Sequence, residues 1–349
     1  MARRPVHIEA LGLHLPEERV TSLALEERIG PLLERLGLSP GRLELMSGIR
    51  ERRFFPPGTR PSAVAAAAAE DALGSTGLDR GRLGMLIHGS VCRDFLEPAT
   101  ASVVHRALGL PATCQAFDLS NACLGVLDGM ALAADAIAAG TIDAALVVTG
   151  EDGRPLVERT LHDLLALDDD RAARRALKAA YASLTIGSGA AAVVLAAEEL
   201  ATAGATWRTS IARADTEAVE LCSGDHAEGG GLLMETDSEA LLQAGNALAA
   251  RTFGPFLEAA GWEREDLQGV VTHQVGSAHR RLLYETLELD LALDFPSVET
   301  LGNMGSASLP ATLALAARDG FLDTRSRVAL LGIGSGLHCR MAAIDWSPA

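Results

Sequence analysis

The same series of apolar strands and helices runs through this chain twice, and that repetition limits what it can fold into. Met85-Leu86-Ile87-His88 is matched by Val270-Val271-Thr272-His273, and Met130 to Gly140, closing on Asp143, overlays Pro310 to Gly320, closing on Asp323. The strand-like runs Ala145 to Gly150 and Val328 to Gly332 follow in the same order, with a small gap. Self-similarity of this kind marks one αβ unit used twice. In the second overlay Cys123 falls on Asn303, each just before the long helix of its half.

Short apolar runs alternate with Ala/Leu-rich segments along the whole chain, the pattern of an α/β protein. Strands are expected at Gly84–His88, Ala144–Thr149, Ala190–Leu195, Gly269–His273 and Val328–Ile333. Helices are expected at Ser62–Gly74, Thr100–Leu108, Ala122–Ala139, Ser238–Ala260 and Ser308–Arg318. No low-complexity linker divides the 349 residues, so two halves at 1–200 and 201–349 are expected to share one body. Gly229-Gly230-Gly231 and Gly332-Ile333-Gly334-Ser335-Gly336 are short enough to be turns. The charged stretch from Glu158 to Lys178, with Asp168-Asp169-Asp170 inside it, reads as an exposed helical excursion with a solvated face.

Charge removes several classes of function. Thirty Lys and Arg stand against 46 Asp and Glu, a formal net charge of −16. A nucleic-acid binder needs a basic face to displace counterions, and a polybasic membrane-surface protein needs one too. The basic start Arg3-Arg4-Pro5 leads into Val6-His7-Ile8-Glu9 rather than an apolar signal core, and the longest apolar runs stop well short of the ~20 residues that span a bilayer. Five widely spaced cysteines without a C-x-x-C pair point away from a disulfide framework or zinc site, and towards a reducing cytoplasm.

Three residues then invite chemistry. Cys123 lies in Asp118-Leu119-Ser120-Asn121-Ala122-Cys123-Leu124-Gly125, between a strand and a long helix. A thiol at a helix N-terminus is expected to have a lowered pKa, while small Ala122 and Gly125 leave room for a substrate. The alternative is a buried structural cysteine, a common fate of a free thiol. His273 ends a strand and opens a loop, where ligands gather in α/β sheets, although a lone His is more often structural. Asn303 sits in Leu301-Gly302-Asn303-Met304-Gly305, where it serves either chemistry or a simple turn and cap. A Cys, a His and an Asn, each on a strand-to-helix junction of a duplicated fold, form a nucleophile with two polarising groups.

Five ordered blocks carry a resemblance. Gly48-Ile49-Arg50-Glu51-Arg52-Arg53, the Cys123 block, His273-Gln274, Gly302-Asn303 through Ser308, and Gly332 through Gly336 are similar to the thiolase superfamily in its ketoacyl synthase III branch. The resemblance spans nearly the whole chain. It implies a five-layered αβαβα fold, a Cys-His-Asn condensing enzyme acting on thioesters, and a homodimer without metal or cofactor. It also implies an oxyanion hole from the backbone N–H groups of Cys123 and Gly336. Papain-like proteases share the Cys-His-Asn order, but the repeat and the missing Cys-Gly-Ser/Ala-Cys-Trp block argue against them.

One residue distinguishes among the condensing enzymes. In Asp94-Phe95-Leu96-Glu97-Pro98 the position before Pro98, usually apolar in decarboxylating synthases, is Glu97. In the superfamily this loop crosses the dimer interface, so the resemblance implies that Glu97 acts in the partner subunit. Decarboxylation creates a carbanion without a base, whereas condensing two ordinary acyl thioesters requires removal of an α-proton. A desolvated carboxylate suits that task, the alternative being an exposed loop residue. The run Cys92 to Pro98, with Gly302 to Gly305 and Gly332 to Leu337, is similar to the head-to-head acyl-CoA condensing enzymes of olefin and β-lactone biosynthesis.

The expected activity is thus non-decarboxylative Claisen condensation of two fatty acyl-CoAs to a 2-alkyl-3-oxo acid. The rivals are a decarboxylating synthase with a malonyl extender, a hydroxymethylglutaryl-CoA-synthase-like enzyme, and a non-catalytic partner subunit of a heterodimer. Downstream pathway enzymes are further candidate partners. Where the branch places a Trp and an Arg against the CoA adenine, this chain has Arg42 and Met46. Arg50, Arg52 and Arg53 are the candidates for a basic rim receiving the polyanionic CoA.

Overall fold

The computed structural model describes residues 3–202, 204–226 and 232–347, so the Gly229-Gly230-Gly231 stretch expected as a turn lies outside the described residues. Nine strands form one sheet, in the order Gly269–Thr272, Arg327–Gly334, His338–Asp345, Ala205–Ala214, Val6–His14, Gly189–Ala197, Ala144–Glu151, Leu83–Gly89 and Gln115–Leu119. The two halves meet where Val6, His7 and Ile8 pair antiparallel with Trp207, Thr206 and Ala205. Outward from that join, each half repeats the same sequence of partners, which is the duplication seen in three dimensions. The first half adds a fifth strand, Gln115–Leu119, parallel to Leu83–Gly89. In the second half only a single parallel bridge, Val270 to Asp294, stands at that place.

Burial explains why these strands form where they do. Ala144–Glu151 and Gly189–Ala197 are buried at every position, and a strand covered on both faces reads as a continuous apolar run. Three apolar clusters define the layers. The middle one combines Val126, Met130 and Ile137 of the Gly125–Ala138 helix with Leu309 and Leu313 of the Ser308–Arg318 helix, and with strand residues of both halves. On the outer face of the first half, Val64, Ala68 and Val104 of the Pro61–Gly74 and Thr100–Ala107 helices cover Leu86, Leu146 and Val194. On the outer face of the second, Phe253, Phe256 and Tyr284 of the Ser238–Ala260 and Ser277–Leu287 helices cover Val270 and Leu331. Helix, half-sheet, helix pair, half-sheet and helix make the five αβαβα layers, the two half-sheets being the two arms of the one nine-stranded sheet among the described residues.

Local signals set the helix ends. Pro61 opens its helix at the first turn, where the missing N–H costs nothing. Asp237 accepts from Ala240 N, and the same helix stops at Gly261 with φ 64, the usual left-handed terminator. The charged Glu158 to Lys178 stretch is helical with a solvated charged face, as expected: it falls in two helices, Arg154–Leu165 and Asp170–Leu184, the second capped by Asp169, with Asp168 to Arg171 exposed. Val157, Leu161, Leu164, Ala173 and Leu177 bury their inner faces against Leu25, Leu32 and Leu36. One expectation needs correction: the glycine run at 332–336 is only partly a turn, because Gly332 to Gly334 complete the Arg327–Gly334 strand.

Candidate active site

The parallel strands Leu83–Gly89, Gln115–Leu119, Ala144–Glu151, Gly269–Thr272 and Arg327–Gly334 place their C-terminal ends at the site. Loops leaving such ends are where α/β sheets bind ligands. Cys123 follows Gln115–Leu119 in a short 3-10 turn, Ala122–Leu124, that runs into the Gly125–Ala138 helix. Ala122 holds φ 44, a left-handed conformation costing a non-glycine residue about 1–2 kcal/mol. That bend is held by Ser306, whose Oγ donates to the Ala122 carbonyl at 2.6 Å. Ser306 belongs to the equivalent turn of the other half, Gly305–Ala307, so the two junctions are tied together directly.

Asn303 is buried, with its backbone N–H on Thr185 O at 3.0 Å and its carbonyl accepting from Gly187 N at 2.9 Å. Its Oδ1 accepts from Gly305 N at 3.0 Å, which fixes the amide orientation and assigns Nδ2 as the remaining donor. Gly302 permits this turn with φ +69, since a Cβ there would stand 2.7 Å from Thr185 O. His273 is the first residue past its strand, its backbone N–H on Leu331 O at 2.9 Å and its buried Nδ1 without a hydrogen-bond partner among the described residues. The neighbouring Gln274 anchors the loop by donating to Phe295 O at 2.7 Å and accepting from Ser297 N and Val298 N at 2.9 and 3.0 Å.

The Gly332 to Gly336 segment runs beside the nucleophile: a Cβ on Gly334 would lie 3.5 Å from Cys123 N. Gly336 has φ +126, and a Cβ there would meet the His338 ring at 2.5 Å. The structure thus brings the glycine segment to the Cys123 turn.

Electrostatics overturn the expected thiolate. Burial pushes the Cys123 thiol up to about 12, with Glu151 and Cys222 adding to the rise and the cysteine's own backbone N–H opposing it. The helix end acts in the other direction but is worth at most about 2 kcal/mol, too little to offset desolvation of the charged form. Burial likewise pulls the His273 imidazole down to about 4, assisted by His279. The resting pair is a neutral thiol and a neutral imidazole.

Glu97 is exposed on the loop between Gly89 and Thr100. The loop is rigid at its base, where Asp94 accepts from Ser62 N at 2.9 Å and Ser62 Oγ at 2.6 Å. Its tip is apolar and uncovered, with Phe95 40% and Leu96 95% exposed.

The basic rim does not survive as predicted. Arg52 is 0% exposed, and it donates to Ser22 Oγ at 3.0 Å and Leu184 O at 3.1 Å. Strand alternation in Glu51–Phe54 turns it inward, beneath the Gly302 turn, and burial lowers its guanidinium to about 10. Arg53 is half-buried and donates to Pro16 O at 3.1 Å. Arg50 alone of the three is exposed, 3.9 Å from Glu299. The sequence reading missed Glu151, a buried carboxylate next to Cys123. Its signal was a charged residue closing the otherwise apolar run Ala144 to Gly150.

Comparison with known proteins places these features. The thiolase N-terminal domain family matches residues 57–155, and the 3-oxoacyl-[acyl-carrier-protein] synthase III C-terminal family matches residues 257–346. The chain is therefore a thiolase-superfamily acyltransferase. The acyl-CoA:acyl-CoA alkyltransferase of Shewanella oneidensis is 37% identical, covering 98% of this chain and 99% of that protein. The alkyltransferase of Xanthomonas campestris is also 37% identical, over 94% of each chain. A crystal structure of Xanthomonas campestris OleA superposes with a TM-score of 0.92 at 36% identity, covering 99% of this chain and all of that one. The protein belongs to the OleA-like acyl-CoA:acyl-CoA alkyltransferase family.

Proposed function

We propose that the protein joins two fatty acyl-CoA thioesters by non-decarboxylative Claisen condensation and releases a 2-alkyl-3-oxo acid. The observation that carries this reading is Glu97, a carboxylate exposed on an apolar-tipped loop whose base is held by hydrogen bonds. It suits a homodimer in which each subunit supplies the base for its partner's site. Crystal structures of Xanthomonas campestris OleA include variants of a cysteine, a histidine and a glutamate, and one form with bound lauric acid and lauroyl-CoA. The spacing between that glutamate and that cysteine equals the spacing between Glu97 and Cys123.

The chemistry follows from the neutral resting pair. His273 takes the Cys123 proton as the thiol attacks the first acyl-CoA, and the proton leaves on the departing CoA thiol. Backbone N–H groups of Cys123 and Gly336 would receive the oxyanion. Glu97 of the partner then removes an α-proton from one acyl chain. Asn303 Nδ2 and His273 hydrogen-bond the thioester oxygen as it takes the enolate charge. The enolate attacks the other carbonyl and expels one thiolate, and water hydrolyses the remaining thioester. Two acyl-CoAs and one water thus give one β-keto acid and two CoA. The reaction needs no metal or further cofactor, and it is assigned to the cytoplasm. No described helix is long and apolar enough to cross a membrane. Arg50 remains the candidate for the CoA phosphates.

Glu97→Ala tests the reading. Mass spectrometry should still find Cys123 acylated, while condensation falls at least about 100-fold, the usual contribution of a positioned base. Full condensation by the variant would remove Glu97 from the mechanism.

A further inference from the structure

Glu151 is 4% exposed, yet it stands at the C-terminal end of a central strand among the groups just described. Its Oε1 accepts from Val91 N at 2.9 Å and from Ser306 N at 3.2 Å, and its Oε2 accepts from Cys92 N at 3.0 Å. Val91 and Cys92 begin the loop that ends in Glu97. Ser306 holds Ala122 O with its hydroxyl, and its backbone belongs to the turn that orients Asn303. A buried carboxylate is costly unless several donors face it. Here three backbone N–H groups do so, and they come from two different functional loops.

We propose that Glu151 is a positioning residue for two active sites at once: it sets its own subunit's Asn303 turn beside Cys123, and it roots the loop that delivers Glu97 to the partner. This inference rests on the reading that Glu97 acts across a dimer. A glutamine at this place keeps one acceptor oxygen but turns an amide N–H₂ towards one of the backbone donors. The loop root would then shift while the fold persists. Removing the charge also removes one cause of the raised Cys123 thiol. Acylation and condensation are therefore expected to respond differently, which simple destabilisation would not produce.

Hybrid dimers with distinguishable tags provide the test. One subunit carries Cys123→Ala, so the only nucleophile lies in the wild-type subunit and receives Glu97 from the altered one. Adding Glu97→Ala to the altered subunit should abolish condensation with lauroyl-CoA while the remaining Cys123 still acylates. Undiminished condensation there, or a protein that never dimerises, would overturn the trans reading and this inference with it. Adding Glu151→Gln instead should slow condensation at least about tenfold without slowing acylation, as expected for a displacement on the ångström scale. Condensation equal to that of the Cys123→Ala hybrid would overturn the role of Glu151 and leave that of Glu97 intact. Glu151→Asp, which keeps the charge but shortens the reach, should give the same loss and decides the matter if the glutamine subunit fails to assemble. In the Glu151→Gln homodimer, the pH profile of Cys123 alkylation should move to lower pH; an unmoved profile would contradict the placement of its charge.

Discussion

His88 and His273 occupy matching positions in the two halves, yet their surroundings differ. Burial lowers both imidazoles to about 4. His88 lies inside its strand, fully buried, with Nδ1 3.6 Å from Asp118 and neither ring nitrogen hydrogen-bonded among the described residues. His273 lies one residue beyond the end of its shorter strand, Gly269–Thr272, and is only partly buried. One residue of strand length therefore separates an enclosed imidazole from a partly exposed one. The missing fifth strand has a similar lesson. In the first half, backbone pairing to Gln115–Leu119 positions the segment leading to Cys123. In the second, the Gln274 amide does that work by holding Phe295, Ser297 and Val298.

The sharpest way to break this comparison is to alter both histidines. His273→Ala should lower condensation by about 100- to 10,000-fold, the range of a lost general base. His88→Leu should leave it within about twofold, because substituting an apolar side chain for unpaired buried nitrogens is close to neutral. Equal losses in steady-state turnover would mean that the halves are not functionally distinct. A smaller effect concerns the thiol. With its pKa raised, the fraction of Cys123 thiolate grows about tenfold per pH unit through the alkaline range, so alkylation of the free enzyme should keep rising from pH 7 to pH 10. A plateau below pH 8 would contradict the neutral resting pair. The imidazole, depressed to about 4, should stay neutral and impose no loss of activity between pH 8 and pH 5.

The smallest effects compare two arginines of one short segment. Arg52→Ala should destabilise the fold by about 1–3 kcal/mol in denaturant titration, by leaving buried acceptors unpaired, and should barely change KM. Arg50→Ala should do the reverse, raising the KM for acyl-CoA about threefold with stability unchanged, since exposed charges contribute up to about 1 kcal/mol. Exchange of those two phenotypes would restore Arg52 to the substrate rim.

Much of this was legible because the relevant signals are local. Fully buried strands such as Ala144–Glu151 announce themselves as apolar runs, and the Ser238–Ala260 helix has its boundaries in its own caps. Strands with half-exposed faces are harder to read. Ala205–Ala214 contains Arg208, Thr209 and Arg213, so it does not stand out as apolar, whereas Gln115–Leu119 is expected only as a strand without bounds before Cys123. Cys123, His273 and Asn303 stand at the junctions the sequence predicts. Arg52 was misassigned because a run of basic residues was read as a surface, although alternation within a strand sends every second side chain inward. Glu151 signals its burial by closing the apolar run Ala144 to Gly150, but its role is unreadable, because its partners are backbone N–H groups from distant loops and backbone donors leave no mark in a sequence.

The most direct measurement is incubation of the purified protein with one long-chain fatty acyl-CoA and no malonyl donor, followed by mass spectrometry of the released acids and ketones. The account predicts a β-keto acid containing two acyl chains, together with the ketone formed when it loses carbon dioxide. Product that appears only after malonyl-thioester is added would contradict it.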